Sequence, residues 1–120
     1  MTDQPYPFGE ALIPEAMDEH TVILLVRPPN APAFSDADLD RLQVEHLTYL
    51  RELHRRGALI ANGPLIDPTD ERYRGISFYA LPLEEALALA RADPMVRAGR
   101  LAIDGARWMT RAGSVSFDSG

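Results

Sequence analysis

Between Ser35 and Gly57 inward-type side chains recur at spacings of three and four: Leu39, Leu42, Leu50 and Leu53, with His46 standing where the stripe needs one more. That period lines one face of an α-helix, so the spacing predicts a helix from about Asp36 to Arg56 that must lie against an apolar surface. The ends agree with it. Ser35 is a good N-cap followed by Asp36 and Asp38, and Gly57 is a good stop after Arg55-Arg56, where the helix dipole favours cations.

The surface that the helix covers is written on either side of it. Thr21–Arg27 (TVILLVR) is rich in β-branched and long apolar residues and ends at Pro28-Pro29, which cannot continue a central strand. A second strand is predicted over Ala58–Ile66, interrupted in register by Asn62-Gly63-Pro64, and a third over Gly75–Leu81, the two forming an antiparallel hairpin across the turn-rich DPTDERYRG. Pro82, Glu84 and Glu85 open a second helix to about Arg91. Asp93 as N-cap, Pro94 as first residue and Gly99 as stop predict one further helical turn, and Leu101–Thr110 is the last strand. The order β-α-β-β-α-β predicts an α+β domain of the ferredoxin-like split βαβ arrangement. Residues 1–19, with Pro5, Pro7 and Pro14, read as an N-terminal extension, 20–112 as the domain and 113–120 as a C-terminal tail.

Two helices on one side of a four-stranded sheet should leave the other side wet. Yet strand one carries Val22, Leu24 and Val26 on one side and Ile23 and Leu25 on the other. Strand three sets Ile76 and Phe78 against Tyr79 and Leu81, and strand four sets Leu101 and Ile103 against Trp108. The pattern predicts a homodimer in which the helix-free face meets the same face of a second copy. Thr21, Ser77, Asp104 and Arg107 are the features that favour a partly wet face instead.

Charge and composition narrow the function. Eighteen acidic against twelve basic side chains give a net charge of −6, and the dense cluster Arg51, His54, Arg55 and Arg56 belongs to a helix end, so nucleic acid is not an expected partner. No run approaches the ~20 apolar residues that a membrane-spanning helix needs. The acidic, proline-rich start lacks the pattern of a secretory signal, so a cytoplasmic protein is expected. The chain has no cysteine, and its three histidines, His20, His46 and His54, lack the spacings of metal motifs. No GxGxxG or GxxxxGK element points to a nucleotide. No metal and no cofactor are expected.

His46 is the foremost candidate for chemistry. An imidazole in an apolar stripe needs a hydrogen-bond partner, and its ordinary pKa near 6.5 suits proton transfer; the same placement also describes a satisfied core histidine. Asp93 is a second candidate, although capping alone explains an Asp-Pro pair. The Asn62-Gly63-Pro64 turn either ends a strand or offers an amide and backbone N–H groups to a ligand oxygen. Tyr49, Phe78, Tyr79, Met95 and Trp108 are pocket walls or core.

The segments VEHLTYLRELHRRGALIANGPL and ALARADPMVRAG, with the strand before them, resemble the YCII-related family over about residues 20–110. That resemblance implies a dimeric α+β barrel akin to muconolactone isomerase. It also implies a histidine of the first helix, a Gly-Pro turn and an Asp-Pro pair, here His46, Gly63-Pro64 and Asp93-Pro94, with His46 and Asp93 as the active-site pair. One relative removes chloride from chlorinated hydroxyquinols. Asn62 departs from the small residue that many relatives carry before Gly-Pro, so that substrate does not transfer.

Three functions fit these features. The first is a cofactor-free lyase or isomerase acting on a small cyclic or aromatic oxygenated compound, with His46 moving a proton and Asp93 setting its tautomer. Asn62, Gly63, Pro64, Tyr49 and Met95 would then line the substrate pocket. The second is a non-catalytic small-ligand binding or accessory protein, and the third a cofactor-independent quinol monooxygenase. Catalysis by the pair requires both side chains in one cavity within about 3 Å or bridged by a water.

Overall fold

Alternation along the first strand sets the layers. The computed structural model describes residues 16–117 as β1 (Met17–Val26), α1 (Asp36–Arg55), β2 (Leu59–Pro64), β3 (Tyr73–Tyr79), α2 (Leu83–Arg91), α3 (Pro94–Arg97) and β4 (Ala102–Arg111). In β1, Thr21 and Ile23 are buried and Val22, Leu24 and Val26 half-buried, so one face takes the helices and the other stays more open. Residues 1–15 of the expected extension and 118–120 of the expected tail lie outside the described residues. Met17–Glu19 are part of β1, opposite Arg111, Thr110 and Met109.

The four strands form one antiparallel sheet in the order β2-β3-β1-β4. The expected barrel is not what this chain forms. The sheet is open, with β2 and β4 as separate edges that do not pair with each other. Four strands are too few to close around a packed interior, and α1 and α2 bury one face in its place. The corrected description is an α+β fold with an open antiparallel sheet.

Two bulges interrupt the register. Leu25 pairs with Gly75 but Val26 with Tyr73, leaving Arg74 as an extra residue in β3. Leu59 pairs with Tyr79 and Ala61 with Phe78, leaving Ile60 extra in β2. The Asn62-Gly63-Pro64 segment, expected to break the register, instead continues the ladder opposite Ser77, Ile76 and Gly75. Pro64 is tolerated there because it is the last residue of an edge strand.

The core has two parts. Ile23, Leu50, Leu53, Leu59, Tyr79, Ala86 and Ala90 pack under α1 and α2, while Leu42, Met95 and Leu101 gather with Leu25, Phe34 and Val96 around α3. Gly105 lets α2 lie close to the sheet, since a Cβ there would stand 2.9 Å from Leu87 and 3.0 Å from Leu83. On the open face Phe117 packs against Phe78 with ring centres 5.0 Å apart, and Trp108 lies 5.7 Å from His20 and 5.9 Å from Phe78. Among the described residues no helix is long and apolar enough to cross a membrane.

Candidate functional site

Helix α1 carries Leu42 into one part of the core and Leu50 into the other. His46 lies one turn from each, at the seam between them. The segment that meets it there is the turn between α2 and α3. Asp93 is 2% exposed and caps α3, its Oδ1 accepting the Met95 N–H at 2.9 Å. The same carboxylate accepts from His46 Nδ1, at 2.7 Å to Oδ2 and 2.9 Å to Oδ1. One side chain therefore caps a helix and fixes an imidazole.

Opposite a carboxylate this contact assigns the ring proton to Nδ1. An ionised carboxylate only accepts, so Nδ1 must donate, and a neutral His46 presents its lone pair on Nε2. Nε2 has no partner among the described residues. The ring forms part of the wall of a cavity of about 420 Å³ between α1 and the helix-covered face of the sheet, a size within the ~300–1,000 Å³ of small-molecule sites. His46 remains 12% exposed and Asp93 3%, so the cavity reaches the imidazole while its carboxylate partner is sealed behind it.

The floor is built from sheet residues on the helix-covered face: Leu25, Asn62, Pro64, Gly75 and Ser77. A Cβ on Gly75 would approach the Gly63 carbonyl to 3.1 Å and Leu25 to 3.4 Å, so glycine preserves depth there. Leu39, Leu47 and Leu50 of α1, with Met95 and Leu101, supply apolar wall. Of the residues proposed from the sequence, Asn62, Gly63, Pro64 and Met95 line the same cavity as His46. Tyr49 is not. Its hydroxyl donates to the Leu89 carbonyl at 2.7 Å, and it lines a separate, more open groove with Val44, Thr48 and Pro94. Burial, followed by the charge of Asp93, raises its pKa, while Arg56 lowers it. Tyr79 is pushed up to about 12, first by burial and then by Tyr49 and Asp93.

The sequence reading missed the polar end of the cavity. Arg27, Arg74 and Arg100 all line it, together with Asp40, Gln43 and Ser77. The arginines come from the end of β1, the bulge of β3 and the turn before β4, positions that no linear spacing connects. Only the bulge, which re-aims Arg74, brings that side chain to the cavity. Among the described residues no three histidine or carboxylate side chains converge as a metal site would require.

Residues 19–104 match the model of the YCII-related domain. Among solved structures, the chain is similar to 5-chloro-2-hydroxyhydroquinone dehydrochlorinase from Burkholderia phenoliruptrix, determined in complex with 2,5-dihydroxybenzoquinone. The identity is 24%, over 77% of this chain and 91% of that one, with a TM-score of 0.38, too loose a superposition to bear on the site. No curated protein matches the chain.

Proposed function

Because the chain belongs to the YCII-related family, whose domain model spans residues 19–104, we propose that it is an isomerase or lyase that moves a proton on a small cyclic, oxygenated compound. The observation that carries this reading is the buried Asp93 carboxylate 2.7 Å from His46 Nδ1, in an imidazole that lines the cavity and whose Nε2 has no partner among the described residues. In this reading Nε2 of His46 takes a proton from a carbon activated by a neighbouring carbonyl, or from a ring hydroxyl. The imidazolium so formed is stabilised by Asp93. Returning the proton to a different carbon completes an isomerisation. In an elimination the electron pair of the broken C–H bond forms the new double bond, and the leaving group departs with its own bonding pair. Both balance with a single base and its conjugate acid, so the step needs no cofactor. The Asn62 amide is the candidate donor to the substrate oxygen that gains charge.

The test is a screen of hydroxyquinols, chlorinated catechols and muconolactone-like lactones, followed by His46→Gln on whichever is turned over. Glutamine retains a hydrogen bond to Asp93 but cannot transfer the proton, so kcat/KM should fall about 10²–10⁴-fold with the melting temperature little changed. Full activity in His46→Gln would remove His46 from the chemistry. Micromolar binding without turnover across the panel would make the protein a ligand carrier.

We also propose that the protein is a homodimer, with the second copy on the open sheet face. Val22, Leu24 and Phe78 are half-buried there and Trp108 is 44% exposed, the kind of apolar surface that association removes from water.

A further inference from the structure

Three guanidinium groups at one cavity are unusual in a chain with a net charge of −6. Arg41, Arg55, Arg56, Arg72 and Arg107 each have a carboxylate partner, whereas Arg27, Arg74 and Arg100 have no ion pair among the described residues, a state they share with Arg51, Arg91, Arg97 and Arg111, which are exposed and do not line the cavity. Arg27 Nε donates to the Arg100 carbonyl at 3.0 Å and Arg74 Nη1 to the Glu71 carbonyl at 3.0 Å. These neutral acceptors hold the side chains without cancelling their charge. Burial, then repulsion from Arg100 and Arg74, makes the Arg27 cation harder to keep. Two carboxylates belong to the same region. Asp93 is committed to His46 and to the α3 cap. Asp40 stands on the α1 wall without forming an ion pair to any of the three arginines. Ser77, 2% exposed, also lines the cavity, and its hydroxyl forms no hydrogen bond among the described residues.

Resting on the reading of this cavity as the substrate site, we propose that its ligand is a small cyclic carboxylate, with Arg27, Arg74 and Arg100 holding the carboxylate. The planar fork of arginine matches a carboxylate in two parallel hydrogen bonds, and a bound anion relieves the repulsion among three like charges. Leu25, Leu39 and Leu50 offer apolar surface to the ring, which places its substituents beside His46. The arginines define what enters, and the His46–Asp93 pair defines what happens to it.

The experiment compares 2,5-dihydroxybenzoate with 1,4-dihydroxybenzene by isothermal titration calorimetry on the full chain, at low and at 0.5 M salt. The carboxylate should bind at least tenfold tighter, and that advantage should shrink at high salt. Arg74→Gln and Arg100→Gln should each weaken the carboxylate about tenfold or more, consistent with hydrogen bonds to charged groups, while leaving the neutral compound within twofold. Arg27 is left in place because it ties the end of β1 to the Arg100 carbonyl. Melting temperatures of both variants guard against misfolding, and the double variant should behave like the parent toward the neutral compound. Equal affinity for the two probes would overturn the proposal. So would unchanged carboxylate binding in the variants, or inorganic phosphate binding as tightly as the aromatic acid. The two readings fail separately: His46-dependent turnover of neutral quinols without a carboxylate preference sinks only this inference, whereas arginine-dependent carboxylate binding without turnover of any panel compound sinks only the catalytic one.

Discussion

The Asp93 side chain has two tasks that substitution can separate. Its Oδ1 caps α3, and His46 Nδ1 lies nearer its Oδ2, at 2.7 Å against 2.9 Å to Oδ1. Asparagine preserves the cap, because its carbonyl oxygen still accepts the Met95 N–H. The remaining amide then offers His46 Nδ1 a donor instead of an acceptor, which moves the ring proton to Nε2 and removes the lone pair from the cavity side. Asp93→Asn should therefore lose most of the activity while its melting temperature stays near that of the parent. Asp93→Ala should lose activity and also stability. The missing cap costs about 1 kcal/mol, and the unpaired Nδ1 adds about 1–3 kcal/mol. Activity and melting temperature measured together on the two variants check this, and an active Asp93→Asn would mean that Asp93 is a cap alone. The sequence made both roles visible at Asp93 and could not choose between them. The choice needed the 47-residue separation from His46 to close, which is a property of how α1 crosses the α2–α3 turn.

At the scale of elements, the parts governed by local chemistry were legible. The Leu39, Leu42, Leu50, Leu53 stripe and the Ser35 cap placed α1 from Asp36 to within a residue of its end. Asp93-Pro94 placed α3. What depends on pairing between strands was not legible. The Arg74 bulge is a mismatch between β1 and β3, and nothing in the sequence around Arg74 announces it. Tyr49 was expected in the pocket as an aromatic side chain at the edge of the helix stripe. The helix turns it instead toward α2, where its hydroxyl finds the Leu89 carbonyl. Gly105 is another position whose meaning is tertiary, for it is the place where α2 rests on β4. A side chain there must displace Leu87, Leu83 or Ile23, so Gly105→Val should cost about 1–3 kcal/mol by overpacking. Denaturant unfolding measures it, and a change within about 0.5 kcal/mol would mean that α2 is not held against β4 in this way.

For the whole molecule, the strand pattern anticipated one α+β domain but not the extent of the sheet. Apolar residues on both faces of β1 suggested closure by a partner and, through the family resemblance, a barrel. The chain instead makes an open sheet whose uncovered face is partly shielded from within, since Phe117 of the C-terminal segment lies over Phe78 and His20. The remaining surface around Trp108 is the basis of the proposed dimer. Sedimentation at micromolar concentration should give about twice the 13.3 kDa chain mass, and Trp108→Glu should shift the protein toward a single chain. A parent that sediments as a monomer at every concentration would show that the Phe117 cover is sufficient.

Everything proposed for function depends on one atom, the Nε2 of His46, holding a lone pair toward the cavity. Nuclear magnetic resonance of ¹⁵N-labelled protein, correlating the ring nitrogens with the carbon-bound ring protons, reads the tautomer of a neutral histidine directly and requires no substrate. The account predicts that, at a pH where His46 is neutral, Nδ1 carries the proton and Nε2 gives the signal of an unprotonated ring nitrogen. The opposite tautomer, with the proton on Nε2, would contradict it.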